Sequence, residues 1–451
     1  MPISEMPPPL ETDSDGCAGQ QLPLMRTEAP GPMGRSFASR LAQCECSMVF
    51  DPCPGEQGVA PPITYMAAQG SNVVDADGNR YVDMAANFGA LLLGHNPNRV
   101  AKSVEVQMHR TWTGLGDMCP ADVKIAMLER VVTMLSVPAR ALLCQSGSDA
   151  VTCAIKTAVL HTGSPGLVAF DGCYHGLGLG PLSVCGYSRA FREPFFELLS
   201  SHAQFAHYPH SDSELDQSLQ QVKTFLASGK VAAVIVEPVL GRGGCIAPPA
   251  GFLAGLRQLT REAGTLLIAD EIWTGLGRTG SWLACDAAGV VPDLVCLGKG
   301  LGGGMPISAC VGERNIMDAW QHRPGTVHTS TFQGHALCCA ASIATIDALR
   351  AAKLAERAAR VGQAFQTWLR LALDPLVTTS RVTGVGLMVG VAFDSAQTSR
   401  KVASALLQKG FIVVPGGTRG EALTLTPALT IDENLLEAFV DTLAQVVREL
   451  A

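Results

Sequence analysis

The sequence predicts an α/β protein: a large domain built on a mostly parallel sheet covered by helices, joined to a smaller α+β domain. Three observations lead there. Between about residues 140 and 310, short all-apolar runs alternate with helical stretches, the pattern of strands buried on both faces and linked by crossover helices. From about residue 345 the pattern changes to a long helix, short strands and a final helix. The composition, 47% hydrophobic and 16% charged over 451 residues, fills a core of this size and excludes a largely disordered chain.

The elements follow in order. Residues 1–35, rich in Pro, Gly and acids and without periodicity, are expected to form a flexible tail. Residues 36–100 are expected as the N-terminal segment of the small domain. Within them the alternation around 63–83 turns at Asp77-Gly78, a hairpin signal. Residues 101–345 form the expected large domain. There ALLCQ precedes a helix beginning near Gly147, and GLVAF ends at Asp171. VAAVIVEP is a buried strand, and FLAGLRQLTREAG an amphipathic helix ending at Gly264. TLLIADE, DLVCLGK and SACVG are further strands. Residues 346–451 complete the small domain, with one long helix, strands around GLMVGVAF and FIVVP, and a last helix.

Charge and cysteine usage narrow the function classes. Lys plus Arg number 33 against 40 Asp plus Glu, a net charge of −7, with no basic block. That argues against nucleic acid or an anionic membrane as partner. The 15 cysteines are scattered, with no C-x-x-C and no zinc spacing, so no metal is expected and the thiols read as reduced, in a cytoplasmic protein. The start MPISEMPPPLETDSDG lacks a secretory pattern. No apolar run approaches the roughly 20 residues that cross a bilayer.

Two familiar glycine patterns fail on their context. GLGRTG (275–280) matches G-x-G-x-x-G, but no helix opens inside its glycines and no acid follows at the required distance, against a dinucleotide site. GKGLGGG (298–304) has Gly300 after Lys299 where a phosphate loop needs Ser or Thr. Lys299 is still the most informative residue. It ends an apolar strand among glycines, where partial desolvation lowers a lysine pKa and suits it to form a Schiff base with a carbonyl. Asp270 ends the neighbouring strand; alone it reads as a helix cap, beside a pyridine ring as the partner of the ring nitrogen. QSGSDA puts Gly147 and Ser148 at a helix start, an N-cap that also suits a phosphate. Tyr174, in YHG after GLVAF, is either core or a stacking surface for a flat cofactor. All of these fall at strand ends, where α/β proteins bind ligands.

Taken together, these residues resemble the class III, pyridoxal-phosphate-dependent aminotransferases of fold type I. DADGNRYVD, LGHNPNRV, SGSDA, FDGCYHG, VEPVLGRGG, LIADEIWTGLGRTG, CLGKGLGGGMPIS and HTSTFQGH follow the family's order over nearly the whole chain after the tail. The resemblance implies pyridoxal 5′-phosphate as cofactor, held covalently by Lys299, which would also shuttle the substrate proton. It implies Asp270 at the pyridine nitrogen, Ile272 and Tyr174 on the two ring faces, and Gly147 with Ser148 at the phosphate. Thr331 would reach the phosphate of a neighbouring subunit, implying a homodimer with shared sites, and Glu237 would line the substrate side.

Two departures stand out. Where the family often has a glutamine that contacts the cofactor's phenolic oxygen, this chain has Trp273. Where members acting on α-amino acids carry a carboxylate-binding Arg, it has Thr424. Arg419, in GGTRGEA, sits near the place of a mobile arginine in the ω-amine branch, and reads equally as a loop charge or as a substrate ligand. The expected activity is ping-pong transfer of an amino group from an amine, an ω-amine in view of Thr424, to a keto acid or aldehyde. An aminomutase, decarboxylase or racemase on the same scaffold is the alternative, and a cofactor-free relative or a nicotinamide oxidoreductase lies further off.

Overall fold

The computed structural model describes residues 19–46, 62–321, 325–374 and 381–450. A seven-stranded sheet forms its centre, in the order Ala139–Cys144, Ser308–Glu313, Leu294–Leu297, Leu266–Asp270, Val231–Val236, Gly166–Phe170, Ala203–Ala206. The last five in that order are mutually parallel, and Ser308–Glu313 alone runs against both its neighbours. The mostly parallel sheet expected from the apolar runs is therefore present. Val231–Val236 and Leu266–Asp270 are buried at every residue because helices cover both faces. Helix Gly147–Thr162 packs on the sheet, as does Phe252–Ala263, which turns Phe252, Leu253, Leu256 and Thr260 inward. The second helix ends at Gly264 with φ +65°, a left-handed cap that glycine takes without steric cost.

Two four-stranded sheets flank this core. In one, Tyr65–Gln69, Asn72–Asp75 and Arg80–Asp83 form a meander that contains the expected hairpin, turning at Asp77-Gly78. Its fourth strand, Phe411–Ile412, comes from the far end of the chain and pairs in parallel with Val82 and Asp83. The other joins Arg381–Val385, Met388–Ala392, Ala422–Leu425 and Val414–Gly416, all antiparallel. The final helix, Glu433–Leu450, packs on helix Leu354–Leu373.

Two expectations give way. Residues 1–18 of the expected tail lie outside the described residues, but 19–35 are docked on the meander. Gln21 N–H donates to Asn72 Oδ1, Arg26 and Thr27 N–H to Asn79 Oδ1, and Met33 and Gly34 N–H to the Asp77 carboxylate. Side chains of the hairpin thus satisfy backbone donors of a segment that has no periodicity of its own. The single long helix is two, Ala336–Ala351 and Leu354–Leu373, broken where Lys353 takes φ +49°. The expected boundary at 345 falls inside the first of these, which packs on helix Asn98–Met108.

Candidate active site

The strands Cys144, Phe170, Val236, Asp270 and Leu297 terminate at one edge of the central sheet, and the singled-out residues leave from those ends. Asp270 lies opposite Cys296 in the ladder, three residues before Lys299, so the two side chains leave adjacent strands. Lys299 opens a short turn with φ +39°, followed by glycines that let the chain bend at once. Its side chain keeps some exposure to the cleft, and its amine lies over the Trp273 ring, 3.9 Å from the centroid. No carboxylate comes within ion-pair distance of it among the described residues. Burial, opposed by Asp270 and Glu237, lowers the amine to about 8.

Asp270 is buried and doubly held. Its Oδ1 accepts from Ile272 N–H at 3.1 Å, and its Oδ2 lies 2.7 Å from Nδ1 of His175. Burial opposes a charge on this imidazole, but Cys173 and the Asp270 carboxylate outweigh it and raise its pKa well above the usual value. The other ring nitrogen of His175 is buried without a partner among the described residues. Glu237 is buried beside them; its oxygens accept from Tyr174 N–H at 2.6 Å and Gly241 N–H at 3.0 Å. Burial raises it to about 7.

Helix Gly147–Thr162 aims its N-terminus at the same cleft. Ser146 is its N-cap, accepting from Asp149 N–H, while the N–H groups of Gly147 and Ser148 have no acceptor among the described residues. Ser148 Oγ accepts from Gly178 N–H at 3.1 Å. Ile272 packs so closely that a Cβ on Gly147 would sit 2.9 Å from its Cδ1, and one on Gly298 3.3 Å from its Cγ2. Ile272, Tyr174, Gly147, Ser148 and Lys299 all keep partial exposure to this cleft.

The structure therefore brings together Lys299, Asp270, Glu237, Tyr174, Ile272, Gly147 and Ser148. It does not bring in two others. Thr331 is exposed, with no hydrogen bond to these residues among the described residues. Arg419 leaves its side chain 81% exposed, with Nε 4.0 Å from Glu421. Thr424 lies buried in strand Ala422–Leu425, its hydroxyl without a hydrogen-bond partner among the described residues. Sequence reasoning missed His175, although it stands next to Tyr174 in YHG, and gave no role to Arg242 in GRGG. The described cysteines are all free.

These groups fit pyridoxal phosphate. There is a lysine amine of lowered pKa for an aldehyde, a buried carboxylate fixed by two donors for a pyridine nitrogen, and two free N–H groups with a hydroxyl at a helix N-terminus for a phosphate.

Known proteins resemble this chain over most of its length. The family described as class III aminotransferase matches residues 54–447. An acetylornithine aminotransferase of Mycolicibacterium smegmatis is 34% identical, covering 86% of this chain and 94% of its own length. A 4-aminobutyrate aminotransferase of Mycobacterium leprae is 31% identical over 95% of this chain and 98% of its own. Among solved structures, an amine transaminase from an uncultivated Pseudomonas species in a PLP-bound form superposes with a TM-score of 0.81 at 26% identity, over 88% of this chain and 98% of its own.

Proposed function

The chain belongs to the class III aminotransferases, and from that premise we propose how its residues divide the work and which amines it uses. The protein transfers amino groups between small-molecule amines and keto acids, with pyridoxal phosphate as cofactor. When bound, the cofactor supplies an electron sink that makes the substrate's Cα proton removable. Lys299 binds it and moves that proton; an amine at about 8 can both take and return a proton near neutral pH. Asp270, oriented by His175, faces the ring nitrogen. Gly147 and Ser148 hold the phosphate, Ile272 and Tyr174 cover the ring faces, and Glu237 borders the substrate. The observation that carries this reading is the Lys299 amine, open to the cleft and without a carboxylate partner, one strand from the doubly held Asp270.

The donor is an amine reacting at a terminal carbon. Thr424, where an α-carboxylate would need an arginine, supports this. The working form is a cytoplasmic homodimer in which Thr331 reaches the other subunit's phosphate. Exposed Trp112, Leu115, Met118 and Phe332, between 54% and 79% accessible on neighbouring segments around Thr331, support a covering subunit there. Residues 101–345 form the large domain on this reading. No helix among the described residues is long and apolar enough to cross a membrane.

A donor screen with purified holoenzyme, against pyruvate and 2-oxoglutarate, tests this. Terminal amines are expected to outperform α-amino acids that lack one; the reverse preference overturns the donor assignment. Absence of transfer from every donor overturns the assignment of Lys299.

A further inference from the structure

We propose that Arg242 anchors a substrate carboxylate, so that the donors are ω-amino acids whose acid end sits in a cage of Tyr174, Tyr187 and Phe191. This deepens the aminotransferase reading above and rests on it.

The guanidinium carbon of Arg242 lies 4.9 Å from the Tyr174 ring centroid, 5.0 Å from Tyr187 and 5.5 Å from Phe191. Tyr174 stands perpendicular to Tyr187, at 6.1 Å, and Phe191 tilts against Tyr187 at 5.5 Å. The cage is fastened at its base: Gly417 N–H donates to the Arg242 carbonyl at 2.9 Å, and the Tyr187 hydroxyl donates to the Gly417 carbonyl at 2.8 Å. Ring faces stabilise the cation but offer little to its fork of N–H donors, which is shaped for a planar two-oxygen acceptor.

Among the described residues no carboxylate comes within ion-pair distance of Arg242. Three other sheltered cations are served: Arg257 by Asp293, Lys124 by Asp117, Arg278 by the carbonyls of Leu387 and Pro427. Arg242 is half-buried, held in place by aromatic rings and without an acid, which is the state of a site whose anion arrives from outside.

Its position selects the remote end of the substrate. Tyr174 is a wall common to both places, with its N–H on Glu237 and its ring against Arg242. Trp273 touches both as well: Lys299 lies over its ring, and Gly241, the residue before Arg242, is pressed against Cε3 of the same indole. An α-carboxylate sits one bond from the reacting carbon at Lys299. Arg242, set across the Trp273–Gly241 contact, meets an acid several bonds away.

The test uses two pairs of donors with the holoenzyme, 4-aminobutyrate with butylamine and 5-aminovalerate with pentylamine, at a fixed concentration of 2-oxoglutarate. Wild type is expected to favour the acid of each pair in kcat/KM. Arg242→Gln is expected to lower that preference on the order of 10- to 100-fold, chiefly through KM for the acid, and Arg242→Lys to lower it less, since it keeps the charge but not the fork. Butyrate binding to the holoenzyme by calorimetry should weaken in the same order, and this reads Arg242 without turnover. The visible band of the bound cofactor confirms that each variant folds and loads. No preference in wild type for either acid, or an unchanged preference and butyrate affinity in both variants, overturns the proposal. Wild type that transfers from no donor but binds butyrate through Arg242 overturns the aminotransferase reading instead.

Discussion

The amine of Lys299 and the indole of Trp273 are in direct contact, 3.9 Å from nitrogen to ring centroid. The indole is positioned from behind by two glycines. A Cβ on Gly241 would overlap its Cε3, and a Cβ on Gly89 its Nε1. The backbone therefore presses Trp273 toward the lysine, and only hydrogen at those two positions leaves room.

Gly241→Ala should displace the indole against Lys299. Overpacking of this kind costs about 1–3 kcal/mol, and a shift of an ångström at the reacting group lowers kcat/KM about 100-fold. Urea unfolding and steady-state kinetics check both. A variant with wild-type kinetics would show that the glycine does not set the position of Trp273.

The lowered pKa of Lys299 gives a pH signature in protein stripped of its cofactor. The neutral amine attacks the aldehyde, so the rate of pyridoxal phosphate incorporation should rise as pH increases and level off above about 8. A lysine in water would still be gaining rate up to about 10.4. Stopped-flow growth of the visible band between pH 6 and 10 measures it. Continued increase beyond pH 9.5 would mean that burial does not govern the amine.

How much of this could be read from the chain depends on the span of the contact. Lys299, Asp270 and Gly147 were legible because each ends an apolar run or opens a helix, so local pattern places them at a sheet edge. The His175–Asp270 pair was not, because it joins residues 95 apart whose meeting depends on the strand order. Arg242 was given no role for the same reason: Tyr187 and Phe191, which surround it, come from a distant stretch with no motif. The docked segment 19–35 escaped notice because its order comes from Asn72, Asp77 and Asn79 in the hairpin. Lys353 breaks a helix through a left-handed backbone that its side chain does not announce.

Arg278, in the GRTG once compared with a dinucleotide loop, is a structural clamp. It is fully buried, and its guanidinium donates to the carbonyls of Leu387 at 2.9 Å, Pro427 at 2.5 Å and Gly89 at 3.4 Å. These belong to three separate segments, one of which carries the glycine behind Trp273. Arg278→Ala should cost about 3–5 kcal/mol, from the cavity and the carbonyls left without donors. Loss of less than about 1 kcal/mol in urea unfolding would mean that water replaces the clamp.

Thr331 gives the sharpest test of a site shared between subunits. Alone it is exposed, next to exposed Phe332, and among the described residues no hydrogen bond ties it to Lys299. If it serves the neighbour's phosphate, Thr331→Ala should weaken pyridoxal phosphate binding about tenfold, the loss of one charge-assisted hydrogen bond. Lys299→Ala should abolish transfer and the visible band, because the amine is the covalent attachment point. Co-expressed, the two variants form mixed dimers in which one site combines an intact Lys299 with the partner subunit's intact Thr331. That site should regain wild-type cofactor affinity, read by titrating activity with pyridoxal phosphate. The other site lacks both groups and stays silent. If Thr331 acted within its own subunit, every active site in the mixture would keep the weakened affinity, and the titration curve would match that of Thr331→Ala alone.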